Sequence, residues 1–440
     1  MLRKILISCL FAFAWPAFGQ SLEAHVDSLF SAVDQPGTPG AAVVIVRGDS
    51  IQFAKGYGVA DLEHDIPVAP NTVFMVASVS KQFTAYGIAL LATQTKISLD
   101  DPVTDYVPEL ASFTPPITVR HLVHHTSGLR DEFSLLALAG YRMDDVITKD
   151  DILHLIYRQN DLNFDPGERY MYSNSGYTLI AEIIERVSGQ SFSEWTHDNL
   201  FLPLGMTNSQ FRSKRGQVIE NVASGYITAP GGYKAQRVNY SSVGASGLYT
   251  TALDLGRWLV ALKRGDVGGT QTRDLAHSRG ILSNGDTLTY AFGISYGRFR
   301  GTQSIGHSGS HRGFRAWVGR FPDHDLGIVV LGNLEEFNPS NMALKVATFF
   351  IEEKSLNAYE GEYHSPELGS TIYISLESDT LRARSRRGEL ATLSRTERDS
   401  FSSDTWYLSS FQFKRENGRL TGVHVSSGRS QDVWFEKKDQ

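Results

Sequence analysis

Three short segments carry residue types that could work together as a nucleophile, a base and a carbonyl-binding edge. The first is Ser78-Val79-Ser80-Lys81, at the head of an apolar stretch running to Leu91. A spacing of three on a helix puts Ser78 and Lys81 on one face, within mutual reach. A serine hydroxyl is a weak nucleophile until a base takes its proton. Lysine becomes such a base when burial and neighbouring positive charge lower its pKa. The helix N-terminus adds a field that favours developing negative charge. By themselves the same residues also describe a capped helix with a solvated lysine. The second segment, Tyr172-Ser173-Asn174, follows the turn Asp165-Pro166-Gly167-Glu168 and precedes a helix that Asn174 or Ser175 could cap. A tyrosine hydroxyl near the lysine could relay protons, and the Asn174 amide could hydrogen-bond a substrate carbonyl. The third segment, Gly306-His307-Ser308-Gly309-Ser310, reads as a small-residue turn entering a hairpin, where a ligand could approach the backbone closely.

These segments need a frame. The continuous apolar run Ala41 to Val46 reads as a buried strand, and Arg47-Gly48-Asp49-Ser50 turns it into a second strand, Ile51 to Tyr57. From Val79 to Leu91 the period becomes helical, with Val79, Phe83, Tyr86, Leu90 and Leu91 near one face. Further helical stretches fall at 150–158, 176–188 and 252–264. Strand signals return at 314–321 and 326–331 around Pro322-Asp323-His324-Asp325, which predicts an antiparallel hairpin. The expected class is α+β: an antiparallel sheet built from both ends of residues 25–350, flanked by helices and interrupted by a helical insertion. Residues 359–436 lack helical periodicity and carry short strand runs separated by turns such as Glu416-Asn417-Gly418. They predict a small all-β domain of up to about eight strands. The expected organisation is a leader over 1–19, a main domain over 20–354 and a β domain over 355–440.

Composition narrows the function classes. The chain has 440 residues, 41% hydrophobic and 20% charged, the texture of a globular protein. Lys+Arg number 42 against 48 Asp+Glu, a net charge of -6, so no basic footprint invites nucleic acid. Arg3 and Lys4 precede an apolar run from Ile5 to Trp15 and then Pro16-Ala17-Phe18-Gly19-Gln20, the pattern of a secretory signal cut after Gly19. That run falls short of the about 20 residues a bilayer span needs, and no later stretch is longer. The expectation is a periplasmic or secreted protein with no membrane span. Cleavage removes Cys9, the single cysteine, so disulfides and cysteine-based zinc sites are excluded. It also removes Arg3 and Lys4, and the net charge becomes -8. His121, His124 and His125 form His-x-x-His-His rather than the His-Glu-x-x-His of zinc hydrolases, so no metal is expected. No Gly-x-Ser-x-Gly elbow is present, because Ser310 occupies the last glycine position.

Ser78-x-x-Lys81, Tyr172-x-Asn174 and His307-x-Gly309, in this order and spacing, resemble the serine β-lactamase and penicillin-binding-protein-like family. The likeness is greatest to its class C-related branch of D-aminopeptidases, D-Ala-D-Ala carboxypeptidases and esterases. Flanking segments agree: Lys96 to Val103, His121 to Leu129, Tyr170 to Asn174 and Pro203-Leu204-Gly205-Met206. The resemblance covers about residues 25–350. It implies a nucleophile at Ser78, a base at Lys81, Tyr172 sharing the proton transfers, and an oxyanion hole from the N–H groups of Ser78 and Ser310. Asn174, His307 and Gly309 are then substrate-binding, and the acyl-enzyme chemistry uses no metal or cofactor. One departure stands out. β-Lactamases usually carry Lys-Thr-Gly where this chain has His307-Ser308-Gly309, and a mostly neutral histidine suits a substrate carboxylate poorly. Arg312 or Arg315 could restore positive charge there. The leading expectation is therefore a hydrolase of small peptides, amides or esters, D-amino-acid compounds among them. The alternatives are a β-lactamase or D-Ala-D-Ala carboxypeptidase, and a non-catalytic peptidoglycan-binding or sensing protein. Tyr359-Glu360-Gly361-Glu362-Tyr363 resembles the start of the lipocalin-like barrel appended to several members of this family.

Overall fold

The run from Ala41 to Val46 has no polar side to offer solvent, and it becomes a strand buried on both faces. The computed structural model describes residues 17–142, 144–352, 356–377, 380–388, 390–397, 399–416 and 419–438. Most of the expected leader, the 354/355 boundary and the Asn417-Gly418 turn lie outside them. The described chain divides into two compact units. The first runs to Gly297 and resumes over Ser304–Phe350, and the second is Arg298–Gln303 with Ile351 onward.

The first unit is organised by one sheet of six strands: β1 (Ala41–Arg47), β2 (Ser50–Tyr57), β3 (Ser295–Phe299), β4 (Thr302–His311), β5 (Phe314–Phe321) and β6 (Leu326–Gly332). Their order is β3-β4-β5-β6-β1-β2. β1 lies antiparallel to β6, with Val43 opposite Val330, and β4 lies antiparallel to β5, with Gly309 opposite Ala316. The central strands β1 and β6 come from opposite ends of the unit and are both buried throughout their apolar runs. The α+β class and its antiparallel connections therefore stand as the sequence predicts. One segment differs. Gly306 to Ser310 lies within β4 and not in a turn before the hairpin. The reason is steric: a Cβ built on Gly309 would fall 2.1 Å from the Val76 carbonyl oxygen, so only glycine lets the strand run this close to the backbone before Ser78.

Helices cover the sheet and fill the insertion. α1 (Ala17–Phe30) ends on Phe30, whose ring stacks on Tyr57 at 4.8 Å. The expected cleavage point after Gly19 falls in its first turn. α2 (Ser80–Thr93) follows a short 3₁₀ turn, Ala77–Val79. The pattern predicts one apolar face, yet every residue from Ser80 to Leu91 is buried. Polar side chains survive there because each finds a partner. Ser80 Oγ accepts the Leu248 N–H at 3.1 Å, Thr84 Oγ1 donates to the Gly244 carbonyl at 2.7 Å, and Gln82 Oε1 accepts the Trp258 indole N–H at 2.9 Å. Next come α3 (Glu132–Leu138), α4 (Lys149–Tyr157), α5 (Asn174–Ser188) and α6 (Ala252–Arg264). Asp131, Thr148 and Thr251 cap α3, α4 and α6 with side-chain oxygens. α5 departs from its expected cap: Ser173 holds the N-cap position without a side-chain bond, because Asn174 is committed elsewhere.

In the second unit, eight strands between Gly361 and Lys437 pair each with the next, and the last closes on the first as a barrel. Tyr359 and Tyr363 of the Tyr-Glu-Gly-Glu-Tyr segment are buried against Phe413 in its core. The Tyr363 hydroxyl donates to the Tyr359 carbonyl at 2.8 Å. The segment thus plugs the barrel with aromatic rings.

A Gly309→Ala variant must push β4 away from Val76. Its expected cost is about 1–3 kcal/mol of stability, read as a lower melting temperature. An unchanged melting curve would show that the strand steps back freely.

Candidate active site

Ser78 sits in the 3₁₀ turn that launches α2, one residue after Ala77, whose φ of 47° is unusual for a residue with a side chain. The turn is held by β4 on one side, through the Gly309 contact, and by the N–H of Val76 donating to the Leu248 carbonyl at 3.0 Å. Lys81 lies in the first turn of α2, fully buried. Its Nζ stands 3.3 Å from Ser78 Oγ and donates to Asn174 Oδ1 at 2.7 Å and to the Ala245 carbonyl at 2.8 Å. The ring of Tyr172 is 4.8 Å from that nitrogen and the ring of Tyr177 is 5.5 Å away.

Burial pushes the Lys81 pKa down to about 7, while the negative charges of Glu132 and Asp131 pull the other way. Of the two causes expected from the sequence, burial is the one that acts, and neighbouring positive charge plays no part. The nearest histidines are neutral, and the charged neighbours are carboxylates. Desolvation alone overcomes them, because Lys81 is sealed within α2 and touches only neutral acceptors.

Tyr172 stands two residues before α5, at the end of the loop that enters it. Its hydroxyl is buried without a hydrogen-bond partner of proper geometry. Burial raises its pKa, and Ser78 is the neighbour that draws it down. The ring lies 4.3 Å from that of His125, which also packs against Tyr177 and Tyr290. His125 Nδ1 accepts the Ser173 N–H at 3.2 Å, which fixes the entry to α5. Asn174 opens that helix and spans two groups: its Oδ1 faces Lys81, and its Nδ2 donates to Asp131 Oδ2 at 2.8 Å.

His307 on β4 is buried, and both ring nitrogens are occupied inside the protein. Nδ1 lies 2.6 Å from the Ser308 carbonyl, which can only accept, so the proton is on Nδ1. Nε2 is then an acceptor, for the Tyr290 hydroxyl at 3.2 Å. Burial, with Lys81 second, pushes its pKa down to about 4, so it is neutral at pH 7. Gly309 contacts Val76, and Ser310 is the next residue along, exposed and opposite Arg315. Arg312 pairs with Asp144 at 2.6 Å, and Arg315 pairs with Glu335 at 3.6 Å and donates to the Phe314 carbonyl.

The fold thus brings Ser78, Lys81, Tyr172 and Asn174 into one contact group, with His307 behind Tyr172 at a ring distance of 6.1 Å. His121, His124 and His125 do not converge. His121 Nδ1 accepts the Thr118 N–H in a helix cap, His124 lies between the Arg120 and Ser278 carbonyls, and His125 serves Ser173. Among the described residues no cluster of three metal-ligating side chains forms. Sequence reasoning missed Asp131, Glu132, Tyr290 and the Ala245 carbonyl. The adjacent acids after Leu129 were the one visible signal, while a main-chain carbonyl leaves none.

Comparison with known proteins identifies the family and the fold. The family described as Beta-lactamase matches residues 26–351. The chain belongs to that family. Residues 351–437 match a second family, described as a domain of unknown function (DUF3471). Over 347 residues the chain is 29% identical to penicillin-binding protein 4* of Bacillus subtilis, covering 76% of each chain. It is 26% identical over 357 residues to a D-aminopeptidase of Cereibacter sphaeroides, covering 80% of this chain and 68% of that one. The octameric penicillin-binding protein homologue of Pyrococcus abyssi superposes with a TM-score of 0.64 at 25% identity, over 95% of this chain and 99% of that one. The D-amino acid amidase of Ochrobactrum anthropi shares the fold, with a TM-score of 0.62 at 22% identity over 74% of this chain and 97% of that one. The chain is a serine hydrolase of the β-lactamase fold. No helix among the described residues is long and apolar enough to cross a membrane.

A lysine with a lowered pKa weakens its own fold. The penalty is fully present below about pH 7, where Lys81 is charged folded and unfolded, and it fades as pH rises toward the ordinary value of 10.5. Lys81→Met is therefore expected to melt several degrees higher near neutral pH, with the gain shrinking toward pH 10. A variant that melts lower at every pH would contradict this.

Proposed function

We propose that this protein is an exported hydrolase that forms an acyl-enzyme on Ser78 and turns over small peptides, amides or esters, D-amino-acid compounds among them. The single observation that carries the reading is Lys81: a buried amine 3.3 Å from a serine hydroxyl and otherwise held by neutral acceptors. Such an amine is largely deprotonated just above neutral pH and can take the Ser78 proton as Oγ attacks a carbonyl carbon. The resulting oxyanion is met by the N–H groups of Ser78 and Ser310. The proton moves by way of Tyr172 to the leaving nitrogen or oxygen, which departs. Water then attacks the acyl group, its proton following the same route in reverse, and Ser78 is released. The pairing of Arg312 and Arg315 with carboxylates and the neutrality of His307 favour substrates without a carboxylate beside the scissile carbonyl. The D-aminopeptidase relative supports D-amino-acid compounds as a substrate class.

The test is incubation with a fluorophosphonate, then a panel of a D-amino-acid amide, an arylester, a D-Ala-D-Ala peptide and a chromogenic cephalosporin. A mass adduct on the Ser78 peptide is expected, with hydrolysis of amide or ester lost by about 10³-fold or more in Ser78→Ala. The kcat/KM profile should rise with pH through about 7, the titration of Lys81. Unchanged hydrolysis in Ser78→Ala would sink the reading, and preferential turnover of the cephalosporin would replace it with a β-lactamase.

Export rests on the Arg3-Lys4 and Ile5–Trp15 pattern. Expressed in a Gram-negative host, the protein should appear in the periplasm with an N-terminus at Gln20. Retention in the cytoplasm with residues 1–19 intact would refute it.

A further inference from the structure

A side-chain amide has a donor end and an acceptor end of nearly equal size, and its neighbours decide which end faces which way. Asn174 lies between Lys81 and Asp131. Its backbone N–H and its Nδ2 both donate to Asp131 Oδ2 at 2.8 Å. A carboxylate can only accept, so the amide nitrogen must face Asp131 and the oxygen must face Lys81 Nζ, 2.7 Å away. Asp131 is itself immobilised: Oδ1 accepts the N–H groups of Phe133 and Ser134 at the start of α3. The residues on either side of it are tied to α5 as well. Ser175 Oγ donates to the Arg130 carbonyl at 2.7 Å, and Thr178 Oγ1 donates to Glu132 at 2.8 Å. Glu132 also accepts the Tyr240 hydroxyl at 2.6 Å.

We propose that Asp131 is a positioning residue of this active site, which fixes the Asn174 amide oxygen-inward and thereby aims the lone pair of Lys81 at Ser78. The proposal rests on the reading of Ser78 as nucleophile and Lys81 as base. A neutral amine has two N–H bonds and one lone pair. Asn174 Oδ1 and the Ala245 carbonyl are pure acceptors at 2.7 and 2.8 Å, and they engage both N–H bonds. The lone pair is left for the third neighbour, Ser78 Oγ at 3.3 Å, whose O–H donates into it. With the amide reversed, an Asn174 N–H would compete with Ser78 for that lone pair, and the base would be diverted before the first step.

The experiment measures fluorophosphonate labelling of Ser78 against pH in the full-length protein. In that reaction an O–P bond forms, fluoride leaves and the serine proton passes to Lys81, so no natural substrate is needed. The variants are Asp131→Asn, nearly isosteric but free to let the amide turn, and Asp131→Glu, which keeps an acceptor-only end. Asp131→Asn is expected to label at least tenfold more slowly while staying folded, and Asp131→Glu should fall between it and wild type. The midpoint of the acid limb should also move to lower pH in Asp131→Asn, because a negative charge favouring the ammonium form is gone. Lys81 also faces Glu132, Tyr172, Tyr177, Ser78 and the neutral His125 and His307. Of these, the buried Glu132 carboxyl is pushed up to about 7 and titrates in the same range. The comparison is therefore repeated in a Glu132→Gln background, where the remaining limb belongs to Lys81. A merely structural role would lower the melting temperature and leave the midpoint in place. That result, wild-type labelling in Asp131→Asn, or equal losses in the Asn and Glu variants would each overturn the proposal. Failure of the wild type to label would instead overturn the reading of Ser78.

Discussion

Burial of one amine governs this active site. Lys81 is enclosed in the first turn of a helix with no solvent-facing side, and only neutral oxygens touch it. Taking a lysine out of water costs several kcal/mol when it is charged, so the fold favours the form in which it can act as a base. Much of the surrounding structure follows from that constraint. α2 must be wrapped on every side, which explains why Ser80, Gln82 and Thr84 are paired to groups distant in the chain rather than exposed. The groups facing the amine must also not restore its charge too strongly, and the nearest carboxylates reach it through Asn174 or across space rather than by a direct ion pair.

The same logic runs through β4. A lysine in place of His307 would bring a second cation toward Lys81 and onto β4 beside Ser78. Histidine keeps that position neutral, and its two nitrogens are spent on Ser308 and Tyr290. Gly309 then brings the strand against the turn carrying Ser78, so the neutral edge and the Ser78 hydroxyl are fixed to one another by backbone contact. Neither depends on a flexible side chain for its placement.

The barrel uses a different device. Its core cluster includes the rings of Tyr359, Tyr363, Phe401, Phe411 and Phe413. The hydroxyl of the buried Tyr359 is satisfied inside the protein, donating to Asp399 at 2.7 Å and accepting from Arg395 at 3.2 Å. Large aromatic rings fill a small barrel with few residues, which suits a unit of this size.

Residue types and spacing alone determined a great deal: the strands at 41–46 and 326–331, the helices near 79–91 and 176–188, the β-rich end, and the pairing of Ser78 with Lys81. Those features are local, set by period two or 3.6 and by side chains three positions apart. The spacing could also propose Tyr172 as a partner, but it could not say that the ring would lie 4.8 Å from the amine. Only the tertiary structure decided that His307 turns both nitrogens inward, that Arg312 and Arg315 are paired, and that a strand rather than a turn carries Gly309. It alone revealed Asp131 and the Ala245 carbonyl, 50 and 164 residues along the chain from Lys81. The physical reason is that burial and hydrogen-bond direction arise from groups distant in sequence. A lysine's charge is therefore set by what closes over it, which no local pattern records.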